Sequence, residues 1–141
     1  MAIQKIQFFK EVNTHNILFS KTAFRTVAEK IFQDYNKTLH FINIVFCNDE
    51  QILEVNKSHL NHDYYTDIIT FDYNHDLVES DIFISTDRVK DNASQLGIKP
   101  TIELYRVLIH GCLHLCGLKD KTQKESTIMR SMENHYLQLI P

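Results

Sequence analysis

Between Pro100 and Gly117 the chain is predicted to form one long helix, and the rest of the protein must be arranged to cover it. Ile102, Leu104, Val107, Leu108, Ile109, Leu113 and Leu115 recur through this stretch, and no proline or glycine interrupts it before Gly111. Successive helical residues turn by ~100°, so His110 and His114, four apart, differ by only ~40° and stand one above the other on one face. Two imidazoles placed in this way converge on one ion. Gly117 can take a positive φ and close the helix, and the turn that follows brings Asp120 back toward the same point. Two nitrogens and one carboxylate oxygen make three ligands. A tetrahedral ion then keeps its fourth position for water, which separates catalytic zinc sites from closed structural ones.

Sulfur ligands are the competing assignment, because Cys112 and Cys116 lie inside the same string. Cys112 is two steps from each histidine and Cys116 two steps from His114, ~200° round the axis, so both thiols point away from the histidine face. They read as small core residues. Three cysteines, two of them in one helix, do not make a disulfide framework and suit a reducing compartment.

The remaining elements follow from periodicity, since only three glycines and two prolines punctuate 141 residues. Ile6 to Phe9 and Phe41 to Phe46 read as strands. Between them Phe24, Val27, Ala28, Ile31 and Tyr35 mark an amphipathic helix with Ser20 as N-cap. A second helix, capped by Asn48, carries Ile52, Leu53, Val55, Asn56 and Leu60. Asp67 to Tyr73 and Asp81 to Ser85 are strands close enough in sequence to pair antiparallel. A helix through Val89, Ala93 and Leu96 ends at Gly97, and Pro100 opens the histidine helix. Thr122 to Glu125 is a capping box for a last helix through Ile128, Met129, Met132, Tyr136 and Leu139. The order β-α-β-α-β-β-α-α-α predicts an α+β fold over residues 1–141, a single domain. One mixed sheet of about four strands is packed with helices, and the metal site lies on a helix and the turn after it.

A formal charge of -3 gives no global electrostatic reason to bind nucleic acid. The first residues lack the apolar core of a signal peptide, and no apolar run is long enough for a bilayer, so a cytoplasmic protein without a membrane partner is expected.

A histidine pair four apart is common in helices, but the whole string from His110 to Asp120 resembles a family signature. It is similar to the His-Gly-x-Leu-His-Leu-x-Gly-x-x-His motif of the YbeY family, with Asp120 standing at the third histidine. The resemblance covers most of the chain from Asn56 onward. Residues 56–71 are similar to Asn-x-x-Tyr-Arg-x-x-Asp-x-x-Thr-Asp-Val-Leu-Ser-Phe, with Leu60 at the arginine, and Ser80 to Ser85 to Gly-Asp-Ile-x-Ile-Ser. Glu103 lies seven before His110, and Glu125, Met129 and Glu133 follow Asp120 as in the family. The resemblance implies a metal-dependent, single-strand-specific endoribonuclease. It implies action in maturation of the 16S rRNA 3′ end and in ribosome quality control, with one Zn2+ per chain. The expected partners are ribosomal RNA, ribosomal subunits and ribosome-associated proteins. The arginine's role in RNA binding or catalysis does not carry over to Leu60.

The residues constrain the chemistry further. Zinc peptidases place a glutamate general base after the first histidine, where this chain has Gly111, so peptide hydrolysis loses its best support. For RNA, a metal polarises a phosphoryl oxygen or activates water. Asp67, near a strand end, is the candidate catalytic carboxylate beside it, while Asp81 is expected to pair with a surface lysine. Glu103 and Arg106 read either as an ion pair along the helix or, for Glu103, as a partner of a ligand histidine. Lys57, Arg88, Arg106, Lys119 and Lys121 are the candidate RNA-binding residues, with Lys124 and Arg130 further along the same basic stretch. Tyr64 and Tyr65 are candidates for stacking on unpaired bases. His62 is the alternative third ligand. Two other functions fit the same residues: a ribosome-assembly binding factor with a structural zinc, and a small-molecule metallohydrolase.

Overall fold

The computed structural model describes residues 4–60 and 66–141. Strand β1 (Ile6–Lys10) is followed by α1 (Lys21–Asp34), β2 (Thr38–Cys47), α2 (Asp49–Leu60), β3 (Ile68–Asp72), β4 (Leu77–Ser85), α3 (Thr86–Leu96), α4 (Pro100–Leu115) and α5 (Gln123–Leu137). This is the predicted order. The strands form one sheet in the order β1-β2-β4-β3. β1 and β4 both run parallel to β2, whereas β3 pairs antiparallel with β4 from Ile68 opposite Ile84 to Asp72 opposite Ser80. The sheet is therefore mixed, and the fold is α+β. Among the described residues no helix is long and apolar enough to cross a membrane.

Local sequence explains the helix ends. Ser20 accepts from the Ala23 N–H, Asn48 exchanges hydrogen bonds with Gln51, and Thr122 forms a full capping box with Glu125. Gly97 caps α3 at a φ of 69°, and Pro100 occupies the first turn of α4, where a missing N–H costs nothing.

Strand alternation divides the side chains between two layers. Ile42 and Ile44 of β2 and Val78, Ile82 and Ile84 of β4 face the main core with α1, α4 and α5. On the opposite face Ile69, Phe71 and Phe83 pack with Ile52 and Val55 of α2 in a smaller cluster. Cys112 is fully buried, as expected, and Cys116 half-buried; burial pushes the Cys116 thiol up to about 12, so neither is a reactive thiolate. Asp81 departs from expectation. It accepts from Asn43 Nδ2 of β2 at 3.1 Å and from the hydroxyl of Tyr73, the residue after β3, at 2.8 Å, so its partners among the described residues are these and not a lysine.

A polar contact ties the last helix to the first. The buried Tyr136 hydroxyl donates to Asp34 Oδ2 at 2.7 Å, and Lys30 Nζ holds Oδ1 at 2.8 Å. The Lys30 and Tyr136 hydrogen bonds keep the Asp34 carboxyl below its ordinary value. A depressed carboxyl stabilises the fold above its unfolded pKa, and that contribution is lost as pH falls through the lower, folded value. Tyr136→Phe should therefore lower the melting temperature near neutral pH. The gap to wild type should close in acid, where Asp34 is protonated; a gap independent of pH would assign the loss to packing.

Candidate metal centre

The centre is built where α4 packs on β3 and β4. A Cβ added at Gly111 would lie 3.0 Å from Ile68 Cδ1 and 3.4 Å from Ile82 Cδ1, so a glycine here lets the helix lie against β3 and β4. That contact sets the residues on either side, the histidine face included, beside the start of β3. Beyond Leu115 the helix closes through Leu118 N–H to Leu113 O at 3.1 Å and Gly117 N–H to His114 O at 2.9 Å. Gly117 takes a φ of 98°, and the chain reverses.

The reversal brings Asp120 Oδ2 within 3.3 Å of His110 Nε2 and 3.6 Å of His114 Nε2. One ligand atom from each of the three residues falls within 4.8 Å of the others. The imidazoles stand edge to face, with ring centroids 4.5 Å apart. Each ring is held from behind. His110 Nδ1 lies 2.7 Å from Glu133 Oε2 of α5, and His114 Nδ1 2.8 Å from the Leu118 carbonyl oxygen. An acceptor at Nδ1 favours the proton there and turns Nε2 toward Asp120, where its lone pair would serve a cation. The donor set therefore fits a metal ion with two nitrogens and one carboxylate oxygen.

Burial works against charge on His110. The Glu133 hydrogen bond and the charges of Glu133, Asp120 and Asp67 outweigh it and hold the ring above its ordinary pKa. Asp67 is pushed the other way from a typical surface carboxylate: burial raises it against the pull of His110 and of backbone N–H groups, including that of Ile68. Its backbone carbonyl accepts the Ser85 N–H at 2.9 Å, and Asn92 of α3 donates to its Oδ2 at 3.3 Å, so β4 and α3 fix its position.

Two clefts meet at His110. One of about 470 Å³ is lined by Asn56 and Leu60 of α2, Asp67 to Thr70, His114 and Asp120. The other, about 240 Å³, runs between α4 and α5 past Glu103, Arg106, Ser126, Arg130 and Glu133, and Asp67 and Asp120 line it too. His110, His114, Asp120, Asp67 and Arg106 are thus brought together. Lys119 and Lys121 are exposed on either side of Asp120. Lys57 is exposed on α2, whose Asn56 and Leu60 border the larger cleft. Arg88 lines neither cleft; its guanidinium is engaged by Asp49 and Asp91. Arg106 Nε lies 3.5 Å from Glu103 Oε1, so the ion pair along the helix is present, and the partner of His110 is Glu133, not Glu103. Glu133 was legible as an acid on the buried stripe of its helix, four after Met129 and three before Tyr136. His62, Tyr64 and Tyr65 lie outside the described residues.

The fold and the site define a class: a small α+β protein whose central helix and following turn present two histidines and a carboxylate at the junction of two polar clefts. Residues 7–140 match the family described as Endoribonuclease YbeY, and the chain belongs to that family. It is 46% identical over 141 residues to an Endoribonuclease YbeY of Cytophaga hutchinsonii, covering 99% of this chain and 98% of that one. A protein of the same name from Bacteroides thetaiotaomicron is 51% identical over 110 residues, 77% of this chain and 80% of the other. The solution structure of TM1509 from Thermotoga maritima superposes with a TM-score of 0.62 at 25% identity, over 96% of this chain and 88% of that one.

Proposed function

We propose that this protein is a metal-dependent endoribonuclease that cuts single-stranded RNA, acting in the cytoplasm on the 3′ end of 16S rRNA during ribosome maturation and quality control. The observation that carries the reading is the convergence of the two Nε2 atoms on the Asp120 carboxylate, each ring anchored at Nδ1. His110, His114 and Asp120 would hold one Zn2+. When bound there, zinc supplies Lewis-acid stabilisation of the phosphodiester's developing charge and lowers the pKa of water.

The chain's own residues provide the rest. Asp67, partly buried and with its carboxyl held above the ordinary carboxylate value by desolvation, is the group to accept or return a proton beside the phosphate. Lys119 and Lys121, on either side of Asp120, supply the local positive charge that a net charge of -3 does not. Leu60 borders the larger cleft and offers an apolar surface for an unstacked base where the family pattern has an arginine. On this reading the RNA enters these clefts as a single strand, and sequence choice comes from the ribosomal subunit that presents it.

The test is cleavage by zinc-loaded protein of an RNA spanning the 16S 3′ end, presented as a single strand and annealed to its complement. Cutting of the single strand alone is expected. Equal cutting of both forms would remove the strand preference, and cutting of neither, with retained binding to ribosomal subunits, would favour an assembly factor.

A further inference from the structure

Besides the histidines, α4 carries a line of charge that runs with α5 along the smaller cleft. Glu103 and Glu133 are each only 4% exposed, a rare state for an acidic residue without a partner. The partners stand in series. Glu103 Oε1 lies 3.5 Å from Arg106 Nε, and Arg106 Nη1 lies 3.4 Å from Glu133 Oε1. The same Nη1 donates to Asn134 Oδ1 at 3.0 Å, and Glu133 Oε2 reaches His110 Nδ1 at 2.7 Å. Arg130 Nη1 adds a second cation 3.7 Å from Glu133 Oε1. Glu103 Oε1 and Arg106 Nε find no hydrogen-bond partner among the described residues, so charge and packing hold that end of the line.

An array of this kind contributes little net stability, because desolvation offsets most of the attraction between its members. What it does achieve is geometric. Glu133 carries two oxygens with separate tasks: Oε1 is held by arginines from α4 and α5, and Oε2 is thereby aimed at one histidine nitrogen. At the Nδ1 of His114 the partner is uncharged, the Leu118 carbonyl.

We propose that Glu133 and Arg106 are positioning residues for His110: Arg106 orients the Glu133 carboxylate, and Glu133 fixes the proton on Nδ1 and the direction of the Nε2 lone pair. The proposal rests on His110 being a metal ligand, and it takes Arg106 out of the RNA-facing set. It also has a sign that simple electrostatics does not share. A cation near a metal site repels the metal, so if Arg106 acted through its charge alone, removing it would tighten zinc binding. If it acts by placing Glu133, removing it loosens binding.

The experiment is zinc affinity of the full chain by competition with a chromophoric chelator, without RNA, for wild type, Glu133→Ala, Glu133→Gln, Arg106→Met, the Arg106→Met/Glu133→Ala double variant and His114→Ala. Glu133→Ala should bind on the order of ten- to hundredfold more weakly, the range for partners that orient metal ligands. Glu133→Gln should recover part of the loss, because its amide oxygen still accepts from Nδ1. Arg106→Met should weaken binding by less than Glu133→Ala and add nothing to it in the double variant. Wild-type affinity in Glu133→Ala, or tighter or additive binding on loss of Arg106, would overturn the proposal. Melting of the zinc-free proteins identifies any variant that fails to fold. Should Glu133→Ala do so, the coupling is measured against Glu133→Gln, where the loss caused by Arg106→Met should shrink. His114→Ala separates the two levels of the argument. If it binds zinc like wild type, the ligand assignment itself has failed; if it loses zinc while Glu133→Ala does not, the positioning role alone has failed.

Discussion

His114→Ala protein is expected to purify without zinc and to cut single-stranded RNA roughly a thousandfold more slowly than wild type, while remaining folded. The rate follows from what the ion supplies. Stabilisation of charge on a reacting phosphate is worth several kcal/mol, and each ~1.4 kcal/mol is a factor of ten. Retention of the fold follows from where His114 sits. Its ring faces the cleft, and its one hydrogen bond among the described residues goes to the Leu118 carbonyl of the turn. The core around it, from Leu108, Ile109, Cys112 and Leu113 to the isoleucines of β2 and β4, contains no part of the ring. Losing that hydrogen bond costs about 1 kcal/mol. Elemental zinc per chain, the cleavage rate and a melting curve check the three parts separately. A variant that unfolds would make the ion structural, and one that keeps zinc and activity would move the site elsewhere.

Asp120 gives the second large effect. Its other roles are already filled: Thr122 caps α5 through its own capping box with Glu125, and the ion-pair distances found for the Asp120 carboxylate are to the two histidines. Asp120→Ala removes the only anion in the ligand set. Its loss of zinc affinity should exceed the ten- to hundredfold that partners of a ligand command. Asp120→His should keep the ion, since a third imidazole is also a sound zinc ligand. The comparison is made by chelator competition on the purified variants. Unchanged affinity in Asp120→Ala would mean that the third ligand comes from another residue.

The sequence made local features plain where one residue decides them. Ser20, Gly97, Pro100 and Thr122 mark helix ends because capping and φ are properties of single positions, and the spacing of His110, His114 and Gly117 is a property of one helix and its stop. Pairing across the chain is not. Nothing near β3 and β4 says that β4 will also pair with β2, which places β3 at the sheet edge where Asp67 reaches the site. The pairing of Glu133 with His110 was hidden for the same reason, as 23 positions and a turn separate the carboxylate from the ring it holds. For Arg106 the spacing on α4 disclosed the ion pair with Glu103, while its second partner, Glu133, comes only from the packing of α5. Asp81 looked like a surface acid until β2 supplied Asn43 beside it.

The central claim is that His110, His114 and Asp120 form one ion-dependent centre for cutting RNA. The most direct measurement is the rate of single-stranded RNA cleavage by chelator-stripped protein as zinc is returned in known amounts. The rate should start near zero, rise in proportion to added zinc and level off at about one equivalent per chain, with His114→Ala flat throughout. Full activity in the stripped protein, or the same rise in His114→Ala, would contradict it.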